Sequence, residues 1–252
     1  MKPLKKFGQN YLNDANIIKK IVDEFNPQQN DTIIEIGPGR GALTKLLSDS
    51  GANIIAVEID TRVIEGLKKE FPNVEFINDD FLKMDLAKFG TNIRVIGNIP
   101  YNITSPILFK LFENNNIIQD AVLMMQDEVA KRLIAKPNTK DYGILSVLTQ
   151  FYTDVKYCFK ISPNVFYPKP KVNSAVVHLI ISSQLQYPNK SFFNKVVKAS
   201  FGNRRKTLKN SLKNSIFENC EFENIEFDFS RRAENLSLDE FIKLAILLEN
   251  KN

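Results

Sequence analysis

Apolar residues in this chain fall in short blocks parted by polar turns, and the blocks alternate between two spacings. Near-continuous runs lie at about 32–36, 53–57, 74–77, 93–97 and 121–125. Blocks of that length read as strands buried on both faces of a parallel sheet. Between them the apolar positions recur at helical steps, as Ala42, Leu43, Leu46 and Leu47 do after the first block. Such alternation predicts a doubly wound α/β sheet. Two later strand-like stretches, 153–161 and 174–182, complete it as a hairpin across the Pro163–Lys171 loop. The expected sheet is mostly parallel and seven-stranded. A helix over Asp14–Phe25 precedes it, with Asn13 or Asp14 as its N-cap.

Beyond the last strand the pattern is helical only. Ser183–Lys190 reads as a polar linker, so residues 1–185 form one expected domain and residues 186–252 a small all-helical one. Ser237 followed by Glu240 makes a capping box before the final apolar helix, Ser237–Leu248. Val197, Phe201, Leu208 and Leu212 recur as one buried helical face, while Arg205, Lys209 and Lys213 share another. The stretch from Ser191 to Lys213 also carries Lys195, Lys198, Arg204 and Lys206, and no carboxylate. That one-sided charge favours a surface that tracks phosphates, with Arg204, Arg205, Lys206 and Lys209 as candidate contacts to a nucleic-acid backbone. Lys2, Lys5 and Lys6 would add a basic arm, and acidic Glu218–Asp228 a connection kept away from those phosphates.

Composition narrows the picture a little. The chain has 252 residues and a formal charge of +5, which is mild. No apolar run reaches 18 residues and no secretory pattern opens the chain, so neither a membrane partner nor export is expected. Cys158 and Cys220 lie far apart and read as reduced thiols of a cytoplasmic protein. No ligand set for a metal is visible, and the single histidine, His178, sits in a strand-like run as a sheet residue.

The candidate chemistry gathers at strand ends. Ile33–Ile36 runs into Gly37-Pro38-Gly39-Arg40-Gly41, a bend whose glycines let a ligand approach the backbone. The next strand ends at Glu58, where a carboxylate can accept both hydroxyls of a ribose. Those two elements fit a nucleotide-like cofactor, and suit a methyl donor and a nicotinamide about equally. A third strand ends in Asn78-Asp79-Asp80-Phe81-Leu82, an acid and an apolar residue for an adenine ring. The fourth ends in Asn98-Ile99-Pro100-Tyr101. Asn98 offers an amide oxygen to an amine, a carbonyl beside Pro100 has a restricted direction, and Tyr101 offers a stacking face. All four tips fall on one edge of a parallel sheet, where such folds bind ligands.

Together these strings resemble the S-adenosylmethionine-dependent rRNA adenine N6-methyltransferases, which comprise small-subunit dimethylases and large-subunit methylases that confer macrolide resistance. Phe7-Gly8-Gln9-Asn10-Tyr11-Leu12 is similar to the family's N-terminal signature, and Phe166-Tyr167-Pro168-Lys169-Pro170-Lys171-Val172-Asn173-Ser174 to its late loop. Phe201–Leu208 and Arg232–Ser237 are similar to the small-subunit group. The resemblance implies a Rossmann-like methyltransferase domain and S-adenosyl-L-methionine as cofactor. It implies a cofactor pocket made by Gln9, Asn10, Leu12, Gly37, Gly39, Glu58, Ile59, Asp80, Phe81 and Asn98. Asp80 is preferred to Asp79 because the family's acid directly precedes the Phe81-Leu82 pair. Catalysis falls to Asn98, Pro100 and Tyr101, with Phe166 as a second stacking ring. The implied substrate is a pair of adjacent adenines near the 3′ end of small-subunit rRNA, within an immature 30S-type particle. The enzyme is expected to be a monomer. A large-subunit methylase, or a non-catalytic assembly factor, is the alternative.

Overall fold

A computed structural model of the chain describes Pro3, residues 8–182 and residues 187–250. The basic arm of Lys2, Lys5 and Lys6, with Phe7 and residues 183–186 of the predicted linker, lies outside the described residues. In chain order the elements are β1 (Tyr11–Leu12), α1 (Ala15–Phe25), β2 (Thr32–Ile36), α2 (Thr44–Leu47), β3 (Asn53–Val57), α3 (Thr61–Glu70), β4 (Glu75–Ile77), β5 (Ile93–Asn98), α4 (Thr104–Glu113), β6 (Ile118–Gln126), α5 (Asp127–Leu133), α6 (Ile144–Tyr152), β7 (Thr153–Ile161), β8 (Phe166–Tyr167), β9 (Ser174–Ile181), α7 (Lys190–Ser200), α8 (Leu208–Lys213) and α9 (Leu238–Glu249). They divide into two compact units. One comprises residues 1–130 and 154–181, the other residues 131–153 and 182–252.

The first unit holds a seven-stranded sheet in the order β4-β3-β2-β5-β6-β9-β7. Strands β2 to β6 pair in parallel, and β9 runs antiparallel to β6. The expected doubly wound, mostly parallel sheet is therefore present. Since β2 lies between β3 and β5, the strand order reverses beside it, and a crevice opens at the carboxyl ends there. Register brings Ile36 opposite Gly97, so the glycine bend and Asn98 emerge side by side. Gly97 permits that approach: a Cβ there would stand 2.7 Å from the Ile36 carbonyl oxygen.

Helix α1 begins as expected, with the Asp14 carboxylate accepting from the backbone N–H groups of Asn16 and Ile17. Its far end is tied to the sheet by Arg94, whose guanidinium donates to the carbonyls of Phe25 and Asn26 and to the carboxylates of Asp31 and Asp120. A buried arginine of this kind is tolerable because its N–H groups find acceptors. The sequence also gave no hint of a ribbon in which β1 pairs antiparallel with β8, Tyr11 opposite Tyr167 and Leu12 opposite Phe166.

The second unit is helical, and it takes in a stretch expected to belong to the first. Residues 131–153 group with it because α6 contributes to its aromatic core: Phe151 stacks on Phe193 of α7, ring centroids 4.0 Å apart. Gln150 donates to the carbonyls of Leu133 and Ala135, and the Tyr142 hydroxyl to that of Leu236. The capping box at Ser237 and Glu240 forms as the sequence predicts. The helix expected through the basic stretch does not run unbroken. It stops at Ser200, turns through residues 201–206, and restarts after Thr207, whose side chain caps α8. Val197, Leu208 and Leu212 are still buried, but Arg205 lies in the turn and shares no helical face with Lys209 and Lys213.

Candidate active site

The crevice beside β2 opens onto a space of about 1020 Å³, part of it open solvent, at the strand ends where such folds bind ligands. Every cofactor residue expected from the sequence lines it: Gln9, Asn10 and Leu12, Gly37 and Gly39, Glu58 and Ile59, Asp80 and Phe81, and Asn98, joined by Pro100 and Tyr101. Asp79 lines it as well.

The glycine bend supplies room. Gly37 has φ +67°, and nothing lies within 4 Å of where its Cβ would stand, so any side chain would project into the cavity. Glu58 is held at the tip of β3 by two backbone N–H groups, from Gly39 at 3.1 Å and Asp60 at 2.9 Å. Burial pushes its carboxyl up, against the pull of those bonds. Asp60 takes the opposite course: the Arg62 guanidinium holds it down at about 2, and Gln9 donates to it at 3.0 Å. Gln9 thereby clasps the N-terminal segment over the cavity. Beneath it, Glu35 is fully buried and accepts from the Thr44 hydroxyl at 2.7 Å, and burial raises its carboxyl to about 7. Glu35 also borders the cavity.

On the adenine side, Asp80 caps the short helical turn Phe81–Lys83, accepting from the Leu82 N–H at 3.0 Å. Asp80 is half-buried and Asp79 exposed, and the Asp79 carboxylate bonds back to the Asp80 N–H at 2.7 Å. Ile59 is 46% exposed at the mouth, an apolar face without a protein neighbour to cover it fully.

Asn98 is fixed by the residue ten places into the chain. Its Nδ2 donates to the Asn10 carbonyl at 2.8 Å, which leaves Oδ1 as the acceptor of the amide. Tyr101 follows directly, and its hydroxyl shares a 2.7 Å hydrogen bond with the Ser174 hydroxyl at the start of β9. Burial raises the Tyr101 phenol, so it remains neutral. The ring and the amide are thus set by two separate anchors, one from β1's approach and one from β9.

Several expectations need correction. Phe166 is 5% exposed, packs in the core with Leu12, Ile161 and Val176, and is not among the lining residues, so it presents no stacking face here. Its place opposite Leu12 in the β1–β8 ribbon turns it inward. In the helical unit, Arg204 is engaged by Glu234 at 2.8 Å and by the carbonyls of Thr139 and Lys140. Lys209 pairs with Glu223 at 2.6 Å, so the acidic connection returns to the basic helix instead of standing apart. Arg205 and Lys206 are exposed in the turn between α7 and α8. The sequence missed Arg40, Leu43, Ile99 and Ile103 in the lining, and Ser174 behind Tyr101. Arg40 lay inside the glycine bend, Ile99 inside the Asn98–Tyr101 string and Ser174 at the end of the late loop, so the sequence marked their neighbourhoods without marking their roles.

A mostly parallel sheet with a glycine bend, a ribose-type acid and an Asn-Ile-Pro-Tyr tip around one crevice defines a methyltransferase of the Rossmann-like class. The comparisons sharpen this. The model of the family described as ribosomal RNA adenine dimethylase matches residues 2–250. A protein of Chlorobium phaeobacteroides (strain BS1), named ribosomal RNA small subunit methyltransferase A, is 46% identical over 95% of this chain and 91% of its own. A dimethyladenosine transferase from Plasmodium falciparum has a similar structure, with a TM-score of 0.80, 28% identity, and coverage of 94% of this chain and 96% of that one. The 23S rRNA methyltransferase ErmE follows at a TM-score of 0.71 and 25% identity, covering 95% and 99%. This chain belongs to the ribosomal RNA adenine dimethylase family.

Proposed function

We propose that this protein transfers methyl groups from S-adenosylmethionine to the N6 amine of adenines in small-subunit rRNA, yielding N6,N6-dimethyladenine. The observation that carries this reading is Asn98, its amide oriented by the Asn10 carbonyl at 2.8 Å beside a ring anchored by Ser174. Identity to a small-subunit enzyme across 95% of the chain favours that RNA over the large-subunit alternative.

When bound, S-adenosylmethionine supplies an electrophilic methyl carbon on its sulfonium. Glu58 would hold the ribose hydroxyls, Asp80 the adenine amine with Phe81 along the ring, and Gly37 and Gly39 would leave backbone space for the methionine end. Gln9, Asn10, Leu12 and Ile59 would close the remaining sides. Adenine N6 is a poor nucleophile because its lone pair is delocalised into the ring. The Asn98 Oδ1 and the carbonyl beside Pro100 accept its two N–H bonds and so favour a pyramidal nitrogen with a directed lone pair. Tyr101 stacks on the unstacked base. Positioning supplies most of the rate, and the proton leaves to solvent after transfer, without a strong base.

The same reading extends to the substrate. Two adjacent adenines near the 3′ end of the RNA, offered within an immature 30S-type particle in the cytoplasm, would each be methylated twice by a monomeric enzyme. Arg205 and Lys206 would contact phosphates from the exposed turn of the helical unit. Among the described residues, no helix is long and apolar enough to cross a membrane.

Tritium transfer from methyl-labelled S-adenosylmethionine tests the proposal. Small subunits lacking the modification should accept label at adenine N6, whereas 23S rRNA should not. Label confined to 23S rRNA would reassign the enzyme to the large subunit, and no label in either would make it a binding factor.

A further inference from the structure

Asp80 and Phe81, the two adenine-side residues, belong to the single helical turn Phe81–Lys83 and its cap, which follow β4. A helix of one turn does not hold its own shape in water. Its internal bonds run from the Lys83 N–H to the Asp80 carbonyl at 2.8 Å and from the Met84 N–H to the Phe81 carbonyl at 3.4 Å. The second is long for such a bond. Asp80 spends Oδ1 on the Leu82 N–H, which leaves Oδ2 to meet a ligand. Where Oδ2 points therefore depends on where Leu82 is kept.

Lys110 keeps it there. From the last turn of α4, its half-buried ammonium donates to the carbonyls of Leu82 at 3.1 Å and Met84 at 2.6 Å. Three N–H donors on one nitrogen suit two carbonyls that converge on a point. The same ammonium stands 5.8 Å from the centre of the Phe81 ring, within range of cation–π attraction. At its other end α4 is fastened to the base-binding string, for the Thr104 hydroxyl donates to the Tyr101 carbonyl at 3.2 Å. One helix thus joins the turn on the cofactor's adenine side to the string assigned to the target adenine. We infer that Lys110 is a positioning residue for recognition of the cofactor's adenine. It holds the Leu82 and Met84 carbonyls so that Asp80 Oδ2 meets the exocyclic amine and Phe81 borders the ring.

This assignment rests on the cofactor site proposed above, and a ligand cycle separates the two. Isothermal titration would compare S-adenosylhomocysteine with S-inosylhomocysteine, in which a carbonyl oxygen replaces the adenine amine. The intact protein should bind S-adenosylhomocysteine about 10-fold more tightly, since Asp80 can accept from the amine only. Lys110→Met keeps the length of the stem and removes the donors. It should weaken S-adenosylhomocysteine about 10-fold and S-inosylhomocysteine by no more than about twofold, so that the preference closes. Lys110→Gln, which can serve one carbonyl, should leave an intermediate preference, and it decides the matter if Lys110→Met does not fold. Equal weakening of both ligands, or an unchanged preference, would overturn the role of Lys110 while leaving the cofactor site standing. An intact protein that binds the two ligands alike would overturn the reading of Asp80, and the inference would fall with it.

Discussion

At the scale of single residues, two polar groups of the crevice are held by partners far away in the chain. The Asn98 amide spends its Nδ2 on the Asn10 carbonyl, and the Tyr101 hydroxyl is tied to Ser174. Asn98→Ala should therefore lower single-turnover methyl transfer by about 10²- to 10³-fold, the usual loss when one aligned transition-state partner is removed. It should also weaken S-adenosylhomocysteine up to about 10-fold, because Asn10 loses a hydrogen bond of about 1 kcal/mol. Rapid-quench transfer and titration on the same preparation separate the two effects. The sequence made Asn98 and Tyr101 legible because their types match the chemistry. It could not reveal their anchors, since Asn10 lies 88 residues and Ser174 73 residues away. Phe166 was misread for the same reason. An aromatic in a proline-rich loop looks available until its strand partner, Leu12, shows which way it faces.

Among elements, the sheet was readable because every parallel strand is an apolar block with a helical pattern behind it. Its exception is instructive. Arg94 lies inside a strand that reads as apolar, and is accommodated because the carbonyls of Phe25 and Asn26 at the end of α1 accept from it and Asp31 and Asp120 stand alongside. The basic stretch was less legible. Steps of four, seven and four fit one long helix, yet Gly202 and Asn203 interrupt it and Thr207 begins another. Charge counted along the chain also missed Glu234 and Glu223, which arrive from later elements to pair with Arg204 and Lys209. These ion pairs sort the candidate RNA contacts. Replacing Arg205 and Lys206 together with Ala should reduce the slope of log affinity against log salt by about 1.5, as two phosphate contacts are lost. Arg204→Ala should leave that slope nearly unchanged, since its donors are engaged within the unit. Fluorescence anisotropy with a labelled rRNA fragment over a range of salt checks both.

On the scale of the whole molecule, one buried network bears on stability. His178 on β9 meets Asp120 of β6 at 2.9 Å and Glu24 of α1 at 3.3 Å, while Lys156 and Arg94 hold the same two acids. Its hydrogen bond to Asp120 raises the imidazole above its ordinary 6.5, despite burial. The folded state then binds a proton more tightly than the unfolded chain. The stabilisation is complete below 6.5 and is lost as pH rises through the raised value. Urea unfolding across pH 6 to 9 should show stability falling through that window, and His178→Gln should flatten the fall. A wild-type profile that rises there would contradict the assignment. The sequence placed His178 in a strand but could not supply its two acids. The central claim is that the crevice beside β2 brings an unstacked adenine to the methyl donor. A crystal structure with S-adenosylhomocysteine and adenosine tests it most directly. The nucleoside should stack on Tyr101, with its N6 within hydrogen-bond reach of Asn98 Oδ1 and facing the cofactor sulfur. A cofactor seated away from this sheet edge, or an adenosine whose amine turns from Asn98, would contradict it.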